Sequence, residues 1–429
     1  MVLSFADYTP HEGSTMTDNV LAFVMAGGKG SRLAPLTNHI AKPAVAFGKR
    51  KMLDIVLANL LNSNIRTVFV LTQYAAISVV DHVYKLWTPR TGVGGTIQPV
   101  TPKMKSEREF AFVGTADAVL QNWEQVTDRP NITEAAILAG DHVYVMHIGQ
   151  VVKYHRAKRS QFTICVVETS CKNAAGDLGV LRVDADNRVV GFVEKPPINE
   201  VPEIPGKPGR CYASMGNYIG NVELLKQALD TDARNPSSKH DFGHDIIPAL
   251  LDTDVPVYAY PFEQNIVPGQ DVSYWRDIGT ISAYHAAHME MLGDVPPLNL
   301  YNEAWPIPTY ADGLAEGRSV GEDPTTKVHY TALAGGAIIT HATVRWSHLG
   351  RSVRIMEDAS LDSCILHCNA RVERGAQLMR TIVCSKVTIP AGMRIGYDRH
   401  EDEANGLHTT DLPNGQWITV VPEKYPHQT

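Results

Sequence analysis

Val20-Leu21-Ala22-Phe23-Val24-Met25 runs straight into Ala26-Gly27-Gly28-Lys29-Gly30-Ser31-Arg32-Leu33. A short apolar run bounded by glycines reads as a buried strand that ends in a tight turn. Glycines let main-chain N–H groups approach an anion, and Lys29 and Arg32 bring positive charge to the same place. The turn is therefore built to hold phosphate at the end of a strand. It is not a P-loop, because no GxxxxGK[ST] run occurs, and the dinucleotide pattern that starts at Gly28 and Gly30 meets Leu33 where its third glycine belongs. Ten residues beyond Arg32, Lys42-Pro43-Ala44-Val45 supplies a second cation braced by a proline.

Outward from this turn, strand-like runs at Val20–Met25, Thr67–Thr72, Ala135–Ala139, Thr163–Glu168 and Val255–Tyr260 alternate with helical spacing at Leu53–Asn62, Thr115–Glu124 and Val222–Leu229. The alternation predicts an α/β, Rossmann-like open sheet, mixed and largely parallel, over residues 19–295. Ligands of such sheets sit outside the carboxyl ends of the strands. Residues 1–18 read as a polar tail, and the proline-broken stretch 296–330 as a linker. Beyond it, Ile338, Ile355, Val372 and Ile389 recur at intervals of 17, as do Ala342, Ala359, Ala376 and Met393, and Val344, Leu361, Leu378 and Ile395. Three registers in step predict a left-handed parallel β-helix over 331–400, followed by a C-terminal tail, 401–429.

Composition narrows the function classes. Of 429 residues, 44% are hydrophobic and 20% charged, with a net charge of −7, so no global basic field exists to gather nucleic acid. Lys49-Arg50-Lys51 reads as a solvated surface turn. No apolar stretch reaches the ~20 residues that span a bilayer. Met1 to Asp18 lacks the basic-then-apolar order of a secretion signal. The six cysteines form no disulfide framework, and Cys364 and Cys368 lack the second pair of a zinc site. A cytoplasmic protein without nucleic-acid or membrane partners is expected.

Asp141 follows the strand-like Ile137-Leu138-Ala139-Gly140, and Asp277 lies in Trp275-Arg276-Asp277-Ile278-Gly279-Thr280. Two carboxylates converging beside phosphates suit Mg²⁺, a hard cation that keeps few protein ligands and completes its octahedron with phosphate and water oxygens. Glu194-Lys195-Pro196 ends another strand-like run, where the lysine can neutralise a phosphate monoester while the glutamate accepts sugar hydroxyls, or the two can form a surface salt bridge before a turn. Asp241, in His240-Asp241-Phe242-Gly243-His244-Asp245, is read as a hydroxyl acceptor, and the rest of the run as the start of a helix rather than a metal site. No GxSxG elbow or nucleophile-like cysteine points to covalent catalysis.

The ordered series GGKGSRL, AKPAV, LTQY (71–74), GTADAV (114–119), LAGDHVY (138–144), GFVEKP (191–196), ASMGNYI (213–219), DFGHDIIP (241–248) and YWRDIGT (274–280) resembles the glucose-1-phosphate adenylyltransferases among the sugar nucleotidylyltransferases. The resemblance implies transfer of the adenylyl group of ATP to glucose 1-phosphate, with Mg²⁺, in a homotetramer that responds to phosphorylated metabolites. It implies Arg32 and Lys42 on the triphosphate, and Asp141 and Asp277 on the metal. It implies Ala26, Gly27, Gly28, Gly30, Gly114 and Asp117 about the nucleotide. Phe112, Gly179, Glu194, Lys195, Ser214, Asp241 and Trp275 surround the sugar phosphate in this reading. Departures fall at His39-Ile40, the shortened 47–54 segment, Ala75, Pro99-Val100-Thr101 and Ala111-Phe112. The last pair lacks the tyrosine hydroxyl expected near glucose. Another nucleoside triphosphate, or a catalytically weak regulatory subunit, are the rival readings.

Overall fold

The computed structural model describes residues 17–92, 94–103, 111–309, 313–321 and 326–424, so most of the expected N-terminal tail and parts of the expected linker lie outside it. Val20–Met25 is the predicted buried strand, and it pairs in parallel with Thr67–Leu71 and Glu134–Ala139. Thr96–Val100 extends the parallel side. The long strand Arg210–Asn221 runs antiparallel to Glu134–Ala139, Phe162–Ser170 and Gly179–Val183, so the sheet is mixed. Val189–Glu194 and Val257–Pro261 complete it. Apolar side chains on both faces are fully buried, Ala22 and Val24 against one cluster, Leu21 and Phe23 against another. This explains why the strand reads as continuous rather than alternating hydrophobicity. Helix Met52–Asn62 covers one face, and the expected helix from Thr115 divides into Thr115–Leu120 and Glu124–Thr127.

The 17-residue repeat is a parallel coil with three faces. One column stacks Val344, Leu361, Leu378 and Ile395. A second stacks Ile339, Ile355, Val372 and Ile389. It starts at Ile339 rather than Ile338, which pairs with Arg354 and is only partly buried. Each coil offers an apolar corner that only the next coil can cover. The stack also reaches beyond its expected limits. Arg318–Val320 already pairs with Ile338–Thr340, and Trp417–Val421 adds in parallel to Thr381–Val383. Both segments are too short to show a period of their own. His408–Asp411 folds back antiparallel on Trp417–Val421 and ends the stack.

Helix Ile281–Glu290, capped by the Thr280 hydroxyl, joins the two halves. Its inner face is histidine-rich. His285 Nε2 lies 2.7 Å from the Ser363 carbonyl, and His348 Nε2 lies 2.8 Å from the His288 carbonyl. The Tyr284 hydroxyl is 2.9 Å from His367 Nε2. The Gly48 amide donates to His288 Nε2 over 3.3 Å. In the basic run beside it Lys49 is exposed as expected, but Arg50 and Lys51 are turned into the protein. Arg50 donates to the Ile307 and Leu300 carbonyls at 3.1 and 3.0 Å, and Lys51 to the Ser78 carbonyl at 3.0 Å. Arg50 thereby ties the core to the chain that leads into the coil, while Lys51 braces helix Ile77–His82 within the sheet domain. Among the described residues no helix is long and apolar enough to cross a membrane.

Candidate active site

The parallel strands deliver their carboxyl ends to one edge. Gly140 follows Glu134–Ala139, and a methyl group there would lie 2.8 Å from the Met25 carbonyl, so only glycine lets the chain turn at that point. Asp141 comes next. The short strands His142–Tyr144 and Trp275–Asp277 then pair antiparallel, with Asp277 opposite His142. This ladder is what joins two carboxylates that lie far apart in the chain. Lys42 Nζ sits between them, 2.9 Å from Asp141 Oδ2 and 3.2 Å from Asp277 Oδ1. Burial pulls the Lys42 pKa down, but the two carboxylates outweigh it and hold the ammonium above the usual lysine value. Burial likewise opposes ionisation of Asp141, and Lys42 with His142 reverses the balance, leaving its carboxyl below the usual range.

The side chains of Asp141 and Asp277 remain 29% and 21% exposed, so both reach the cleft. An ammonium already held by both oxygens shows that the place is made for positive charge. Among the described residues no group of three or more His, Cys, Asp or Glu side chains is arranged to hold a metal ion by itself. Two carboxylates and open cleft fit a divalent ion that takes its other ligands from phosphate and water. His142, which sequence reasoning passed over, adds to this centre. Its Nε2 lies 3.6 Å from Asp277 and 3.8 Å from Asp141, while Nδ1 is 3.1 Å from the Met215 carbonyl. The signal was its place inside the quoted LAGDHVY.

On the nucleotide side, the Ala26 amide donates to the Leu71 carbonyl, 2.8 Å away, which carries the strand to the edge of the turn. Gly30 has φ +62° and packs so closely that a Cβ would stand 2.8 Å from the Lys42 Cβ. Gly28, in contrast, has open space where a side chain would be. A Cβ on Gly27 would come 3.2 Å from the Gln73 side chain. Gln73, unremarked within LTQY, fixes the opposite wall: it accepts from the Phe112 amide at 2.8 Å and donates to the Phe112 carbonyl at 3.3 Å. The Phe112 ring itself is buried in the core beneath. Asp117 is placed differently from expectation. Its carboxylate accepts from the Val113 amide at 2.9 Å and Gln121 Nε2 at 2.7 Å, so it braces the loop from behind. Gly114 is required by the protein backbone, since a Cβ would lie 2.2 Å from the His240 carbonyl oxygen.

On the sugar side, Glu194 pairs in register with Gly179, and Cβ atoms built on Gly179 or Gly243 would approach Glu194 Oε2 to 2.7 or 2.5 Å. Two glycines thus make the slot for this carboxylate. Lys195 takes φ +50°, turning its side chain out of the strand, with Nζ 3.3 Å from Glu194 Oε1. Ser214 is buried and accepts from the Gly216 amide at 3.2 Å. Trp275 stands edge-on to His142 at 5.4 Å, and its buried Nε1 has no partner among the described residues. Asp241 is again placed differently: Oδ1 accepts from the Gly243 and His244 amides at 2.9 and 3.1 Å, and Oδ2 from the Thr115 hydroxyl at 2.8 Å. Its carboxylate caps a helix rather than standing free for a sugar hydroxyl. Arg32 ends between the two sides and pairs with Asp177, a carboxylate outside every motif quoted above.

Comparison with known proteins gives two domain matches. The model of the nucleotidyl transferase family covers residues 21–293, and that of the GlmU-like C-terminal hexapeptide covers 317–419. Glucose-1-phosphate adenylyltransferase of Alteromonas mediterranea is 38% identical over 410 residues, 95% of this chain and 93% of its own. Its namesakes from Trichlorobacter lovleyi, at 38% over 419 residues (96% and 99%), and Methylobacillus flagellatus, at 39% over 402 residues (93% of each), are similar to the same extent.

Proposed function

From the premise that this chain belongs to the glucose-1-phosphate adenylyltransferases of the nucleotidyl transferase family, we propose that it transfers the adenylyl group of ATP to glucose 1-phosphate. The products are ADP-glucose and pyrophosphate, serving glycogen or a related α-glucan. The observation that carries the reading is the meeting of Asp141 and Asp277 about one positive charge at the carboxyl edge of the sheet.

A phosphate oxygen of glucose 1-phosphate attacks the α-phosphorus of ATP in line. The new P–O bond forms as the bond to the bridging oxygen breaks, and pyrophosphate leaves with that electron pair. The nucleophile needs no deprotonation, so the chain's task is positioning and charge neutralisation. Arg32 and Lys42 meet the negative charge that gathers on the leaving group. The open face of Gly28 admits phosphate against main-chain N–H groups. Lys195 binds the sugar phosphate, with Glu194, Ser214 and Trp275 orienting the ring. Asp141 and Asp277 would hold Mg²⁺, which supplies further charge neutralisation at the reacting phosphates. A homotetramer, phosphorylated-metabolite effectors and a cytoplasmic setting belong to the same reading and rest on the family resemblance.

Purified protein with ATP, glucose 1-phosphate and Mg²⁺ should release pyrophosphate. Turnover with UTP, GTP or dTTP but not ATP would move the base assignment, and no turnover with any of them would end the reading. Lys195→Gln should raise the KM for glucose 1-phosphate by about tenfold or more, since a hydrogen bond to a charged group contributes about 1.5–3 kcal/mol. A selective rise in the KM for ATP would misplace Lys195.

A further inference from the structure

Arg32, the only arginine of the glycine turn, does not point freely into the cleft. Its Nη1 is bound to Asp177 Oδ1, and its Nη2 lies beside Gly279, where a built Cβ would be 3.0 Å from both Arg32 Nη2 and Asp277 Oδ2. Asp177 comes from the other side of the site. Its loop follows the short helix Cys171–Ala174 and is laced to the Lys195 turn: the Gly176 amide donates to the Pro196 carbonyl at 2.8 Å, and the Lys195 amide to the Leu178 carbonyl at 3.2 Å. The ion pair therefore bridges the phosphate turn and the sugar-side turn. Both partners are about half exposed, at 54% and 53%. An ion pair so open to water is weak and easily exchanged for a stronger anion.

We propose that Asp177 is a latch that occupies Arg32 in the free protein and competes with the polyphosphate of the substrate for its guanidinium. The proposal rests on the reading that Arg32 serves the polyphosphate. A guanidinium presents one planar fork, and a carboxylate and a phosphate claim the same donors. Each binding event must first free Arg32, so the apparent affinity is lowered by the fraction of molecules still latched. Asp177 touches no reacting atom in this scheme. It sets how tightly polyphosphate binds.

The test uses inorganic pyrophosphate, whose binding by titration calorimetry needs no turnover and so survives failure of the ADP-glucose assignment. At low ionic strength, Asp177→Asn should tighten pyrophosphate binding about two- to fivefold, the range set by an exposed ion pair. Asp177→Glu, which keeps the charge, should stay near the original value, and the gain in Asp177→Asn should shrink as salt is raised. In an Arg32→Ala background the Asp177→Asn change should do nothing, because the competitor and its target form one cycle. Glucose 1-phosphate affinity should not move. Unchanged or weaker pyrophosphate binding in Asp177→Asn overturns the latch, as does an equal gain in the Arg32→Ala background or no pyrophosphate binding in any variant. A parallel change in glucose 1-phosphate affinity would show that the substitution merely disturbs the Lys195 turn.

Discussion

Asp141→Asn should lower kcat by about 10²–10³-fold, the cost of removing one preorganised electrostatic contact to a reacting group. The amide matches the carboxylate in shape, so the strand end and the Gly140 turn keep their packing. What disappears is one of the two negative charges around Lys42 and the metal position. Lys42 retains Asp277 at 3.2 Å, so its buried ammonium is not left alone. The melting temperature should therefore fall by only a few degrees, about 1 kcal/mol for a chain of this size. KM for glucose 1-phosphate should stay near its original value, because Glu194 and Lys195 stand on a different strand end. Turnover within about tenfold of the parent would remove Asp141 from the mechanism.

Acidification should loosen the seam between the sheet and the coil, where four buried histidines meet. Burial lowers the pKa of His285, His288, His348 and His367, bringing His348 and His367 to about 4. An unfolded histidine titrates near 6.5. Above that pH both states are neutral and the stability is fully present. As the pH falls from 6.5 toward 4, the unfolded chain binds protons that the seam refuses, so stability drains away across that window. The loss is on the order of 3 kcal/mol for each of His348 and His367 when complete. The positions facing the seam offer little relief: Tyr284, Phe47 and carbonyl oxygens meet the rings, while Arg380 adds positive charge near His285. Calorimetry from pH 7.5 to 5 should show a steep fall in melting temperature. His155, buried in the sheet domain, and half-buried His147 slope the same way, so the informative comparison is His348→Gln/His367→Gln, which should flatten the curve. Equal slopes in parent and double variant would refute the role of the seam.

The fold and the centre of the site were legible because backbone geometry writes itself into short patterns. Asp141 follows a strand-like run, and strand ends gather at one edge; Asp277 was marked by its motif, and the antiparallel ladder with His142 brings it there. The repeat at 344, 361, 378 and 395 translates directly into paired residues. Contacts made by side chains across the cleft were not legible. Asp117 and Asp241 carry the same charge as Asp141, and only the position of nearby amides shows that their oxygens cap and brace. For Asp241 a signal did exist, an aspartate at a helix start, and it favoured the cap over the sugar. Asp177 lies in no motif, and its partnership with Arg32 appears only once the two turns face each other. The histidine seam was hidden for the same reason. His285 and His288 share one helix face, but nothing in the spacing of His348 and His367 says that this face meets them.

The fold-back of His408–Asp411 on Trp417–Val421 has a bearing on how the protein behaves in a crowded solution. A stack of parallel strands is an open-ended ladder, and its last rung presents unpaired amides and carbonyls to any extended chain that drifts past. Here that rung is occupied from within by a hairpin whose direction breaks the pattern, so another copy cannot simply continue the ladder at Thr381–Val383. The hairpin thus guards one strand column against edge-to-edge pairing, while among the described residues Thr388–Ile389 and Arg394–Ile395 end the other two.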